Sequence, residues 1–296
     1  MAAFIGAVVI GGGNFVAVKF SNEELEPLFG AGIRFTAGSL LLLGLVRLTR
    51  QELPRGRAGW GAIVYGLLGF GVSYAFLYYA LVGLNAGTSS LILASAPLMT
   101  LLLAVLHGQE KLSSRGLAGG VLAIAGIGIL SASALGGDLS PRYVLSAVLG
   151  TLAIAESSVV VKSFPRTHPI TTNAVGMAAG GIFLLLASVV FREQWIVPST
   201  TRTWMVLAWL VLFGSVALFV LFLYVIERWT ASATVYAVTL MPVVAVTLGA
   251  LLADERVTVG LVAGGLLVVA AAYIGAISQH RRARPVAEPL TAASDA

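Results

Sequence analysis

The sequence predicts an all-α membrane fold: ten transmembrane helices in an inverted repeat of five and five. Three observations carry this reading. Of 296 residues, 58% are hydrophobic and 10% charged, whereas a soluble domain clothes itself with about 25% charged residues. The apolar residues come in runs of about 20, the length at which a helix crosses a bilayer. One phrase is also written twice: APLMTLLLAVLHGQEKLS at 96–113 and MPVVAVTLGALLADERVT at 241–258.

The expected spans are 2–20, 28–47, 59–81, 85–106, 116–134, 142–162, 171–191, 203–226, 230–252 and 258–278. Short connections hold most of the charge. Barrel strands would be about half as long and would alternate, and these runs are apolar on all sides. Span one has no Lys or Arg ahead of its apolar run, unlike a signal peptide, and it carries Asn14 and Lys19. Beyond the last span, 281–296 holds Arg281, Arg282 and Arg284 and then PVAEPLTAASDA. That tail has no apolar face and is expected to be disordered and cytoplasmic.

Loop charge sets the orientation. With both termini in the cytoplasm, the inside holds Arg47, Arg50, Arg55, Arg57, Lys111, Arg115, Lys162, Arg166, Arg228, Arg281, Arg282 and Arg284. The outside holds only Arg142, Arg192, Arg202 and Arg256, together with the acidic connection SNEELEP at 21–27. This is a positive-inside bias, and it accounts for the net charge of +5 without invoking nucleic acid.

The repeated phrase extends into a register. Tyr79 pairs with Tyr224, Ala86 with Ala231, Pro97 with Pro242, Glu110 with Glu255 and Gly119-Gly120 with Gly264-Gly265, each 145 residues apart. With small gaps, Lys19 pairs with Lys162 and Gly38 with Gly180. The expected units are a first five-helix repeat over 1–134 and a second over 135–280. Five is odd, so the second copy enters the membrane inverted. Two such halves rocking about a midplane site are a known construction for alternating access.

At these residues the chain resembles the drug/metabolite transporter superfamily, in its ten-helix EamA branch. The resemblance covers 1–278. It rests on GNFVAVK (13–19), IRFTAGSLLL (33–42) and the doubled proline-to-glutamate phrase. Many members carry a tryptophan before the glycine of span one, where this chain has Gly11-Gly12-Gly13. The resemblance implies efflux of small metabolites, often amino acids, across the bacterial inner membrane. It also implies a cavity lined by spans one, three, four, six, eight and nine.

Candidate functional residues follow from cost. An ionisable side chain within a span is expensive to keep there, and Glu156 is the one acidic residue deep in a span, followed by Ser157 and Ser158. It reads as a proton or cation site, or as a partner of Lys162. Lys19 and Lys162 either attract a substrate carboxylate or snorkel to headgroups. Arg34 has Gly176 at its repeat position and is expected to neutralise part of the 21–27 connection. Tyr74 and Tyr78 share a helical face with Gly71. Ser232, Tyr236 and Thr239 form a stripe on span nine, and Thr88, Ile92 and Ser95 form one on span four. The substrate cavity is therefore assigned to Asn14, Tyr74, Tyr78, Ser95, Glu156, Ser157, Tyr236 and Thr239. The alternative reading of these hydroxyls is helix–helix hydrogen bonding. Pro97 and Pro242 fall mid-span, where each removes a backbone bond, and are candidate gate hinges. Gly176-xxx-Gly180 and Gly260-xxx-Gly264 read as packing sites.

Other classes lose support. His107, His168 and His280 lie at helix ends and form no ligand cluster for a metal. Gly11-Gly12-Gly13 lacks the Lys-Ser/Thr of a phosphate loop, and no cofactor is implied. An intramembrane enzyme would need clustered acid–base groups or metal ligands. A nucleotide-sugar or phosphate-ester exchanger would need several cavity cations. The expectation is a secondary transporter of small amphipathic solutes, working in the bilayer as a monomer or homodimer.

Overall fold

The computed structural model describes residues 2–111, 114–135, 141–221 and 231–274, apart from the side chains of 131–135, 231–237 and 239. Helix is the only regular structure among the described residues. In chain order the helices are α1 (Ala2–Ser21), α2 (Pro27–Leu48), α3 (Gly56–Gly83), α4 (Ala86–Leu106) and α5 (Ser114–Leu135). They continue with α6 (Pro141–Ser163), α7 (Pro169–Val190), α8 (Thr201–Leu221), α9 (Ala231–Leu252) and α10 (Val259–Ala272). Seven of them, α1–α4 and α6–α8, are long and apolar enough to cross a membrane. The others contribute shorter apolar stretches at Ser114–Leu130, Leu240–Leu252 and Val259–Ala272.

Local chemistry starts these helices where the sequence allows it. Proline occupies the first turn of α2 and of α7, where its missing N–H costs no intrahelical bond. Thr200 caps α8 by accepting from Thr203 N–H, and Thr258 caps α10 by accepting from Leu261 N–H.

Apolar surface gains little by leaving lipid for protein, so close packing must hold the helices together. Glycine provides it. A Cβ at Gly66 of α3 would overlap the Gly176 backbone of α7, and one at Gly126 of α5 would meet Gly264 and Val268 of α10. Gly12 of α1 lies against Met241 and Val244 of α9, and Gly181 of α7 lies against Thr36 of α2. The packing expected of Gly176, Gly180 and Gly264 is thus present. Large apolar side chains such as Leu40, Ile124, Leu186 and Leu266 are exposed on the outside of the bundle, as a lipid-facing surface requires.

Two helices contain a wide π-type turn. Leu67–Val72 in α3 and Leu212–Ala217 in α8 lie 145 residues apart, in the register of the repeated phrase. The matching bonds are Ser73 N–H to the Leu68 carbonyl and Leu218 N–H to the Phe213 carbonyl. Wide turns of this kind recur at functional sites. α4 is interrupted: Ala86–Leu93 and Ala96–Leu106 are separate helical pieces. Pro97 sits in the first turn of the second piece, whereas Pro242 lies inside a continuous α9. The two prolines therefore do not make the same backbone feature, because Pro97 starts a segment while Pro242 leaves one bond missing within a helix.

Helix direction alternates, so the bundle has two ends. One end carries the connections 22–26, 84–85, 191–200 and 253–258, and the opposite end carries 49–55, 107–111 and 164–168.

Candidate transport pathway

Arg34 is the most deeply buried charge among the described residues, with 1% of its surface exposed. It lies on α2 and reaches the wide turn of α8. Its Nε donates to Ser215 Oγ at 3.0 Å and its Nη2 to the Gly214 carbonyl at 2.9 Å. Its Nη1 donates to Tyr78 Oη at 3.3 Å. The guanidinium also lies 5.0 Å from the Phe35 ring and 5.4 Å from the Tyr74 ring, where the π faces stabilise a cation. Asn14 of α1 donates to the same Gly214 carbonyl at 3.2 Å, and its Oδ1 is buried with no partner. Gly214 must be glycine, since a Cβ there would strike the Asn14 carboxamide. Arg34 therefore does not neutralise the 21–27 connection as its sequence position suggests. It points inward, because α2 turns this face toward α3 and α8.

The acidic connection finds other partners and ties helices together at its end of the bundle. Glu24 accepts from Ser199 N–H and from the hydroxyls of Ser199, Thr200 and Thr203. These hydrogen bonds, Ser199 Oγ and Thr203 Oγ first, hold its carboxyl down to about 2. Glu23 pairs with Arg202 at 3.0 Å. Glu193 caps the α2 N-terminus, accepting from Leu28 N–H at 3.0 Å and Phe29 N–H at 2.7 Å. Its own carboxyl is pushed up by burial. Asn22 Nδ2 donates to the Tyr78 carbonyl at 2.9 Å. Lys19 Nζ pairs with Glu255 Oε1 at 2.7 Å, and that oxygen also accepts Ala86 N–H at 2.9 Å, at the start of α4.

The opposite end carries a cavity among the described residues. It has a volume of about 470 Å³ and lies among α3, the end of α6 and the start of α7. Lys162 and Arg166 stand exposed at its rim, and its wall includes Tyr65, Phe164, Thr172 and Asn173. No acidic residue lines it. Tyr65 Oη lies 3.2 Å from Asn173 Oδ1 and donates to it. From there an aromatic column climbs the bundle. Tyr65 meets Phe70 edge-on at 5.6 Å, Phe70 stacks on Tyr74 at 6.4 Å, and Tyr74 lies 6.3 Å from Tyr78. The column runs from the cavity to Arg34.

Glu156 stands apart from that column. Its Oε1 is 3.1 Å from His107 Nε2, at the end of α4, and its Oε2 is buried without a partner among the described residues. The partner is thus His107 rather than Lys162, because α6 faces α4 at this level. Gln109 Nε2, donating to the Val159 carbonyl at 3.2 Å, ties the same two helices together. Ser157 Oγ bonds its own helix at the Ile154 carbonyl, and Ser95 Oγ bonds the Ile92 carbonyl. Tyr236 and Thr239 have side chains outside the described residues. Among the sequence candidates, then, Asn14, Tyr74 and Tyr78 gather around Arg34, while Glu156 and Ser157 lie elsewhere on α6. Arg34 carries more of this site than its sequence position suggests. The available signal was a cation seven residues inside an apolar span, where the nearest acidic residues lie at the span's end. No group of His, Asp and Glu that could hold a metal occurs among the described residues.

A solved crystal structure superposes with a TM-score of 0.68 over 96% of this chain and 98% of the other, at 20% identity. The chain is 30% identical over 295 residues to the uncharacterized inner membrane transporter YedA of Escherichia coli K12, covering 97% of this chain and 94% of the relative. It is 27% identical to the uncharacterized transporter YvbV of Bacillus subtilis, covering 88% and 86%. It is also 27% identical to a protein of Salmonella typhimurium named a probable amino-acid metabolite efflux pump, covering 90% and 91%. The EamA-like transporter family matches residues 1–132 and 141–276. The chain belongs to the EamA-like transporter family.

Proposed function

We propose that this membrane transporter is a secondary carrier that exports amino acids or related amphipathic solutes by alternating access of two inverted five-helix halves, 1–134 and 135–280. It would sit in the bacterial inner membrane with all ten helices crossing and both termini in the cytoplasm. The observation that carries the reading is the inequality of the two ends: one is tied by ion pairs and carboxylate caps, and the other holds a cavity whose wall includes Tyr65, the first ring of the aromatic column. Positive-inside charge supports a cytoplasmic cavity end, where an exporter loads.

The inverted halves are supported by the two wide turns in matching register and by matching turns after α4 and α9. Glu110 N–H bonds the Ala104 carbonyl as Glu255 N–H bonds the Gly249 carbonyl. By that register the Lys19–Glu255 pair has a counterpart in Lys162 and Glu110 at the cavity end. Both are exposed, and no ion pair joins them among the described residues. One latch would close as the other opens, with Pro97 and Pro242 flexing between.

The test has two arms. Purified protein in proteoliposomes should give saturable counterflow of at least one of the twenty L-amino acids and none of a nucleotide sugar. Counterflow of the nucleotide sugar alone would replace the substrate class. In intact cells, cysteine at Val197 should react with an impermeant thiol reagent and cysteine at Gln51 should not. The reverse pattern would overturn the direction.

A further inference from the structure

We infer that Arg34 and Asn14 form the recognition site for the charged groups of an α-amino acid, with the carboxylate on the guanidinium and the ammonium on Asn14 Oδ1. This rests on the transport reading above and names the part of the substrate that the site takes.

Four observations lead there. Arg34 is 1% exposed inside a span, and no carboxylate bonds it among the described residues. A buried charge without a counter-charge is costly in a membrane, and neutral acceptors offset only part of that cost. The guanidinium has five N–H donors, and three nitrogens each make one bond here. Donors therefore remain for an arriving carboxylate. Second, Asn14 is 9% exposed, and its Oδ1 accepts from nothing while its Nδ2 is committed to Gly214. The free atom is an acceptor, so its complement is a donor, and a cationic one binds it best.

Third, the two groups converge. Asn14 Nδ2 and Arg34 Nη2 donate to one carbonyl oxygen at 3.2 and 2.9 Å. A Cβ built on Gly214 would touch both the Asn14 carboxamide and Arg34 Nη2. A positive donor and a bare acceptor thus sit side by side, and the carboxylate and ammonium of an α-amino acid share one carbon. Fourth, packed aromatic rings span the distance from this pair to Tyr65 in the wall of the cavity, whose rim carries Lys162 and Arg166 and no acidic residue, a lining suited to an anion. The bond from Arg34 to Tyr78 Oη is the longest of the three, at 3.3 Å. It is the one a carboxylate displaces most readily.

A structural hub would also bury Arg34. The test separates these roles. For an amino acid that the wild type transports in proteoliposomes, its carboxamide and its N-acetyl derivative should each compete at least about tenfold more weakly than the parent, since each lacks one charged contact. Arg34→Lys should raise the half-saturating concentration by about tenfold or more, because a lysine cannot keep the forked contact. Asn14→Ala should weaken the parent while leaving the N-acetyl derivative unaffected. The wild-type competition needs no variant to fold, and monodisperse elution qualifies the variants. Equal competition by parent, carboxamide and N-acetyl derivative would overturn the inference while leaving amino-acid transport standing. Transport of none of the twenty amino acids would overturn both.

Discussion

Lys19 Nζ stands 2.7 Å from Glu255 Oε1, and the same oxygen accepts the backbone N–H of Ala86. One carboxylate therefore joins the end of α1, the turn after α9 and the start of α4. The Glu255 side chain is 6% exposed, so removing Lys19 leaves a buried carboxylate with only its bond from the Ala86 N–H among the described residues. Lys19→Met should weaken closure by about 1–3 kcal/mol. The measurement is thiol labelling of a cysteine near Ala86, which should speed up in Lys19→Met and in Glu255→Gln. Equal labelling in wild type and both variants would show that the pair is no latch.

Gly249 makes room for that carboxylate, because a Cβ there would overlap Glu255 Oε2. Gly249→Ala should expel Glu255 and reproduce the labelling seen in Lys19→Met. Its repeat position holds Ala104, which is fully buried. Ala104 carries a methyl group where Gly249 has none, and Glu110 is exposed. Ala104→Gly should therefore favour closure of the cavity end and slow entry from that side.

Glu24 gives its end of the bundle a pH dependence. Its carboxyl, ordinarily at 4.5, is held down to about 2 by hydrogen bonds to Ser199, Thr203 and Thr200. A lowered native value means that the stabilisation is complete above pH 4.5 and is lost as pH falls toward 2. Thermal unfolding in detergent, compared between wild type and Glu24→Gln, isolates this contribution. The difference between the two should shrink across that window, and a constant difference would assign the stabilisation to another group.

Glu156 and His107 form a pair of titratable groups 3.1 Å apart, with Glu156 Oε2 unpartnered. If the pair carries the coupling proton, Glu156→Gln should abolish the pH dependence of transport while the protein stays folded. His107→Gln should shift that dependence without abolishing it. A Glu156→Gln variant with wild-type rate and pH profile would reduce the pair to a tie between α4 and α6.

The prolines should not behave alike. Pro242 leaves a bond missing inside α9, so Pro242→Ala should restore it, stiffen the helix and slow turnover more than it weakens binding. Pro97 begins a helical piece after a break at Ala94 and Ser95, so Pro97→Ala should change turnover less. Transport assays at saturating substrate separate the two, and equal effects would remove the distinction.

The residue pattern alone predicts the all-helical membrane character and the positions of its apolar segments. Both follow from one-dimensional quantities: too few charges for an aqueous surface, and runs as long as a bilayer is thick. It also marked Asn14, Tyr74 and Tyr78, because polar and aromatic residues stand out in an apolar run. Their use emerges from helix packing. Arg34 looked like a partner for SNEELEP because sequence distance is short there, yet the rotation of α2 turns it toward Gly214 and Ser215, about 180 residues away. Lys19 and Glu255 meet across 236 residues, and Glu156 meets His107 where Lys162 was the nearer choice in sequence. Helical periodicity says which residues share a face. Which face meets which neighbour depends on glycine contacts such as Gly66 on Gly176, and those form only when the helices pack.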